Sequence, residues 1–125
     1  MSENYDPNNI FAKILRNEIP CDKVYETNYS IAFRDINARA KSHILILPKK
    51  AYISLNDFSL KASNEEKADI FSVISWVVEN VNIKESGYRV LTNVGEHGHQ
   101  EVKHLHFHLL GGQPLGGMIK KLDII

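Results

Sequence analysis

Three histidines at alternate positions, His104, His106 and His108, are the residues in this chain best suited to do chemistry. They lie in His104-Leu105-His106-Phe107-His108-Leu109-Leu110, where polar and apolar residues alternate with the two-residue period of a β-strand. Read as a strand, Leu105, Phe107 and Leu109 go to one face and the imidazoles to the other. Successive rings then stand about 6.5–7 Å apart, at a rise of about 3.3 Å per residue. A helix would scatter the same residues around its circumference and leave Phe107 no side to bury. A solvated sheet face is more simply made from Thr, Lys or Glu. Neighbouring imidazoles also lower one another's proton affinity, which keeps at least one ring neutral and nucleophilic near pH 7.

Two chemistries use such a row. In the first, an imidazole nitrogen attacks phosphorus, water cleaves the phosphohistidine, and neighbouring rings bind phosphate oxygens and move protons. His106, flanked on both sides, is the natural nucleophile. In the second, the rings ligate zinc. Three rings along a straight strand span about 13 Å, too far to meet on one ion, but two of them with His43 or His99 could do so. The glycine clusters lack the Gly-x4-Gly-Lys-Ser/Thr pattern of a phosphate loop, and the zincin helix motif is absent.

A row of rings needs a sheet to hold it, and the chain is long enough for one. Its 125 residues suffice for a single domain with its own core, and 43% hydrophobic against 24% charged residues is an ordinary globular balance. Fifteen basic residues offset fifteen acidic ones, which removes any electrostatic reason to expect nucleic acid or anionic membrane as a partner. Cys21 is the only cysteine, so no intrachain disulfide can form and a reducing cytoplasm is the expected location. Met1 to Asn9 is polar and unlike a secretory leader, and no apolar run is long enough to span a bilayer.

Asp6-Pro7 predicts a short helix with Asp6 as its cap, carrying Ile10, Phe11, Ile14 and Leu15 and stopping before Pro20. Strands are expected over Lys23–Glu26 and Tyr29–Arg34, joined at Thr27-Asn28, and over His43–Leu47, which is apolar on both faces and so central. Asp35 closes the second strand, as a turn former or a ligand contact. Residues 51–62 read as irregular or as a brief helical turn. Ser63-Asn64-Glu65-Glu66 is a capping box opening a helix of about four turns, whose Ile70, Ile74, Val77, Val78 and Val81 form one face. A fourth strand runs from Tyr88 to Asn93, and a loop through Gly95 and Gly98 returns to the histidine strand as an antiparallel neighbour. The tail from Gly111 ends in apolar Leu122, Ile124 and Ile125, which suggests docking or a partner subunit.

The histidine segment resembles the signature of the histidine-triad (HIT) superfamily, in particular its nucleotide-binding, protein-kinase-C-inhibitor-like branch. Supporting segments are Ile10-Phe11-Ala12-Lys13-Ile14, Glu18-Ile19-Pro20, Ala32-Phe33-Arg34-Asp35-Ile36, His43 through Lys49, and Gly111-Gly112. The resemblance implies an α+β fold in which a five-stranded antiparallel sheet carries one long and one short helix, with the core over 10–112 and a tail over 113–125. It further implies a homodimer with a ten-stranded sheet. The implied activity is hydrolysis of purine nucleoside 5′-phosphoramidates and related adenylates to the nucleoside monophosphate, without a metal or other cofactor. By position, His106 would become nucleotidylated, while His104 and His108 would contact phosphate oxygens with His43 behind them. Asn93 would hold the phosphate end and Asp35 the ribose hydroxyls. Ile10, Phe11, Ile14, Ile19, Phe33 and Ile36 would sandwich the purine.

His99 and Glu101 depart from the resemblance. Many eukaryotic members have Gly and Ser there, and the serine meets the leaving group. A carboxylate at that point suits a protonated amine better than a phosphate. Two alternatives stand beside the enzyme reading: a nucleotide-binding regulatory protein with incidental hydrolysis, and a zinc-dependent hydrolase.

Overall fold

Five strands, β1 (Lys23–Glu26), β2 (Ser30–Arg34), β3 (Ser42–Pro48), β4 (Tyr88–Leu91) and β5 (Phe107–Gly111), form one sheet in the order β1-β2-β3-β5-β4. Every neighbouring pair is antiparallel. This is the α+β arrangement expected, seen in a computed structural model that describes residues 4–123. Ile124 and Ile125, part of the apolar tail, and Met1 to Glu3 lie outside the described residues.

Three helices accompany the sheet: α1 (Ile10–Leu15), α2 (Leu55–Lys61) and α3 (Asn64–Asn80). α3 starts at the capping box: the Ser63 hydroxyl accepts from the Glu66 amide, and the Glu66 carboxylate accepts from the Ser63 amide. It buries Ile70, Val73, Ile74, Val77 and Val78. These meet Ala32, Ile44, Ile46, Leu105, Phe107 and Leu109 on one face of the sheet. The opposite face packs Ile31, Phe33, Leu45 and Leu47 against Phe11 and Ile14 of α1. β3 therefore contributes to both cores, as its continuous apolar run requires.

Three local expectations are corrected. A two-turn helix, α2, stands where an irregular stretch or brief turn was expected. Its buried Phe58 packs edge-on against Tyr52, a contact between residues six apart that strand and helix periodicity cannot reveal. Second, α1 is capped by Asn9, whose side chain accepts from the Ala12 amide, while Asp6 closes the preceding turn by accepting from the Asn8 amide. Third, the histidine strand is shorter than its alternation suggested. Pairing with β3 begins at Phe107, and the Leu105 amide donates to the Tyr52 carbonyl instead. The side alternation survives: Leu105, Phe107 and Leu109 all enter the α3 core.

Candidate active site

The sheet face that α3 leaves uncovered carries a cavity of about 710 Å³, within the usual range for a small-molecule site. The β3–β5 register sets Leu45 opposite His108 and His43 opposite Leu110. His43 and His108 are thus diagonal neighbours on one face, within reach of each other's side chains. Their rings lie 5.2 Å apart, with Nε2 of His43 at 2.9 Å from Nδ1 of His108. The His106 ring stands 5.0 Å from that of His108 and 4.8 Å edge-on from Phe11.

Backbone groups dictate which nitrogen of each neutral ring holds the proton. The Arg39 amide donates to Nδ1 of His43 at 3.0 Å, so the His43 proton sits on Nε2. That N–H donates to Nδ1 of His108, with Asp35 Oδ2 a longer alternative at 3.4 Å. The His108 proton is then on Nε2. His106 is arranged the other way: its Nδ1–H donates to the His104 carbonyl at 2.8 Å, and its Nε2 lone pair has no partner among the described residues. The cavity therefore meets one ring that offers a lone pair beside one that offers an N–H.

All four rings are held below the ordinary histidine range, chiefly by burial. His108 is lowered to about 4, with the neighbouring His106 and His43 adding to the effect. For His106, burial lowers the value, and the His104 carbonyl and the Asp35 and Glu101 carboxylates oppose it. His43 is lowered by burial, against the pull of Asp35. The rings are neutral at pH 7, the state a nitrogen nucleophile needs.

His104 stands apart. Its ring is fully buried off the cavity; Nε2–H donates to the Pro48 carbonyl at 2.8 Å, and Nδ1 accepts from the Tyr5 hydroxyl at 2.6 Å. Burial lowers its pKa to about 4. The ring of His104, expected from the resemblance to meet phosphate oxygens, thus lies away from the cavity with both nitrogens bonded, in the stretch that precedes the paired part of β5. Its carbonyl, not its ring, serves the site.

The remaining predicted residues converge on the cavity. Phe11, Ile14 and Phe33 form its buried floor, with Ile19 beside them. Ile10 and Ile36 stand at the mouth, 42% and 87% exposed. A planar apolar ligand entering between these groups would remove solvent from both. Asp35 acts as a turn former through Oδ1, which accepts from the Asn37 amide at 2.8 Å, while Oδ2 lies on the His43 side of the cavity. Asn93 lines the cavity near Leu91. His99 and Glu101 sit on the rim as a pair, 2.9 Å apart and largely exposed. Between them Gln100 is buried, its Nε2 donating to the carbonyls of Ile53 and Val102 and its Oε1 accepting from the Gly95 amide.

Gln100, Arg39 and Tyr5 escaped the sequence reading. Each acts through a contact with a distant or backbone group, which leaves no periodic or spacing signal. The polar Gln100 inside a glycine-bounded loop, next to two rim residues, was the nearest thing to a clue.

Asp35, His43 and His108 offer ligand atoms that all lie within 4.8 Å of one another. With bonds of about 2.0–2.1 Å, a tetrahedral zinc site separates its nitrogen ligands by about 3.4 Å. The 2.9 Å separation of the two imidazole nitrogens is instead a hydrogen-bond distance. As built, the cluster fits a proton better than zinc.

The family model for the HIT domain matches residues 16–115. An uncharacterised 13.2 kDa HIT-like protein of Azospirillum brasilense is 50% identical over 121 residues, covering 97% of this chain and 99% of its own. The purine nucleoside phosphoramidase of Escherichia coli is 46% identical over 111 residues, covering 88% and 92% respectively. Among solved structures, a HIT family hydrolase from Clostridium thermocellum is similar with a TM-score of 0.83 at 38% identity, covering 90% of this chain and 97% of that one.

Proposed function

The chain belongs to the HIT domain family, and from that premise we propose that it hydrolyses purine nucleoside 5′-phosphoramidates and related adenylates to the nucleoside monophosphate. The route runs through a covalent nucleotidyl-His106 intermediate. The observation that carries this reading is the proton arrangement: His106 offers a bare Nε2 to the cavity while His108 offers an N–H beside it.

In this scheme Nε2 of His106 attacks phosphorus. The leaving nitrogen, protonated from solvent at the open rim, departs as the amine with the electron pair of the broken P–N bond. The positive charge left on the nucleotidyl-imidazole is held by the Nδ1–H bond to the His104 carbonyl. His108 donates Nε2–H to a phosphate oxygen, where charge grows in the transition state. Water then attacks phosphorus, the P–Nε2 bond returns its pair to His106, and a proton goes to solvent. Asp35 Oδ2 takes the ribose hydroxyls, Asn93 the phosphate end, and the slot lined by Phe11, Phe33, Ile10 and Ile36 takes the purine. The Glu101 carboxylate, with His99, faces a cationic leaving amine.

Location and assembly belong to the same reading. No helix among the described residues is long and apolar enough to cross a membrane, and Cys21 is a free thiol; both suit the cytoplasm. Two copies would join across β4, an edge strand with exposed Tyr88 and Val90. The other edge, β1, is blunted by the Lys23–Glu26 ion pair.

His106→Asn tests the covalent route, and it separates an enzyme from a nucleotide-binding scaffold by whether the biological role is lost along with turnover. Turnover of an adenosine phosphoramidate should fall by about 10⁴- to 10⁶-fold, the range seen when members of a nucleophilic unit are removed, while AMP affinity measured by calorimetry is retained. Undiminished turnover would overturn the scheme.

A further inference from the structure

We infer that Tyr5 is a positioning residue for the reaction, holding His106 in place through His104. The inference rests on the reading of His106 as nucleophile. Tyr5 does not line the cavity, and its hydroxyl reaches Nδ1 of His104 at 2.6 Å, ninety-nine residues away in sequence. The same ring is gripped at its other nitrogen by the Pro48 carbonyl, so His104 has every polar atom of its side chain satisfied. Its backbone carbonyl is the group that holds the Nδ1–H of His106. Any shift of the His104 ring is therefore passed to the carbonyl that aims the nucleophile.

The segment bearing Tyr5 is itself fastened. The Asp6 carbonyl accepts from the Asn9 side chain at 2.7 Å, and the Pro7 carbonyl accepts from the Arg16 guanidinium at 2.7 Å. This leads straight into α1, whose Phe11 meets His104 and His106 edge-on. A phenylalanine at position 5 would fill the same volume against His104. What only a tyrosine supplies is the donor to Nδ1. Without it a buried acceptor is orphaned, and the ring must shift or take up a proton. A protonated His104 next to His106 would make the nucleophile poorer.

The test is Tyr5→Phe, followed by steady-state kinetics on an adenosine phosphoramidate and by ¹⁵N spectra of the histidine rings. The expected result is a kcat lowered about 5- to 30-fold, the effect of losing one buried hydrogen bond, with KM unchanged because Tyr5 touches no part of the cavity. The Nδ1 signal of His104 should move from its hydrogen-bonded position. In a His104→Gln background the same substitution should cost less than about 2-fold more, since the effect passes through that ring. An unchanged kcat in Tyr5→Phe, even with a lowered Tm, would mark Tyr5 as packing only and overturn the inference. An equal loss in both backgrounds would do so as well. If wild-type protein forms no His106 adduct, the functional reading fails. The inference then falls with it, whereas a His106 adduct together with an unchanged kcat in Tyr5→Phe overturns the inference alone.

Discussion

At His106 the carbonyl of His104 accepts from Nδ1–H; at His43 the amide of Arg39 donates to the Nδ1 lone pair. Two main-chain groups thereby decide which ring presents a lone pair to the cavity and which an N–H. The sequence showed the residue types but not this division of labour. His104, His106 and His108 look equivalent in a strand pattern, yet one is a buried brace and two face the cavity. Glu101 is the residue at which leaving-group choice is expected to be set. It is a rim carboxylate paired with His99 and largely solvated, so its effect should be modest. In Glu101→Ser the preference for alkylamine over acidic leaving groups, read as a ratio of kcat/KM values on paired substrates, should fall about 2- to 5-fold. An unchanged ratio contradicts that role.

The elements do what their patterns promised wherever one contact type dominates. The α3 capping box and the Ile70/Ile74/Val77/Val78 face are as read, and β3 is central because it is apolar on both sides. The sequence misled where local and distant partners compete. Asp6 is a sound cap by type, but Asn9 reaches the helix amide. His104 and His106 continue the alternation of β5 without joining its ladder, because Tyr52 captures the Leu105 amide. The imidazole layer shared by β3 and β5 also sets a pH signature. Histidines in the unfolded chain protonate near 6.5, whereas His104 and His108 in the fold resist until about 4. The unfolded state binds more protons in that window, so stability is full above about pH 6.5 and declines as pH falls toward 4. Calorimetry should show Tm dropping through this range; a flat Tm there would contradict the buried, neutral rings.

Across the whole molecule, one sheet separates two tasks. α3 seals one face into a core, and the other face keeps a cavity between α1 and the 94–101 loop. This division was legible in the sequence, since the apolar partners of the histidine row and the apolar face of α3 had to meet. The bracing behind the cavity was not, because Gln100 and Tyr5 act across the fold. Membership of the HIT family agrees with this plan. The proposed function stands on one event, the bonding of a nitrogen of this sheet to phosphorus. Rapid-quench mass spectrometry of the wild-type chain with an adenosine phosphoramidate, with chelator present and absent, tests it most directly. The expected result is a nucleotidyl adduct that maps to His106, forms and decays at rates that support turnover, and is indifferent to chelator. Turnover without an adduct, or an adduct on another residue, would contradict it.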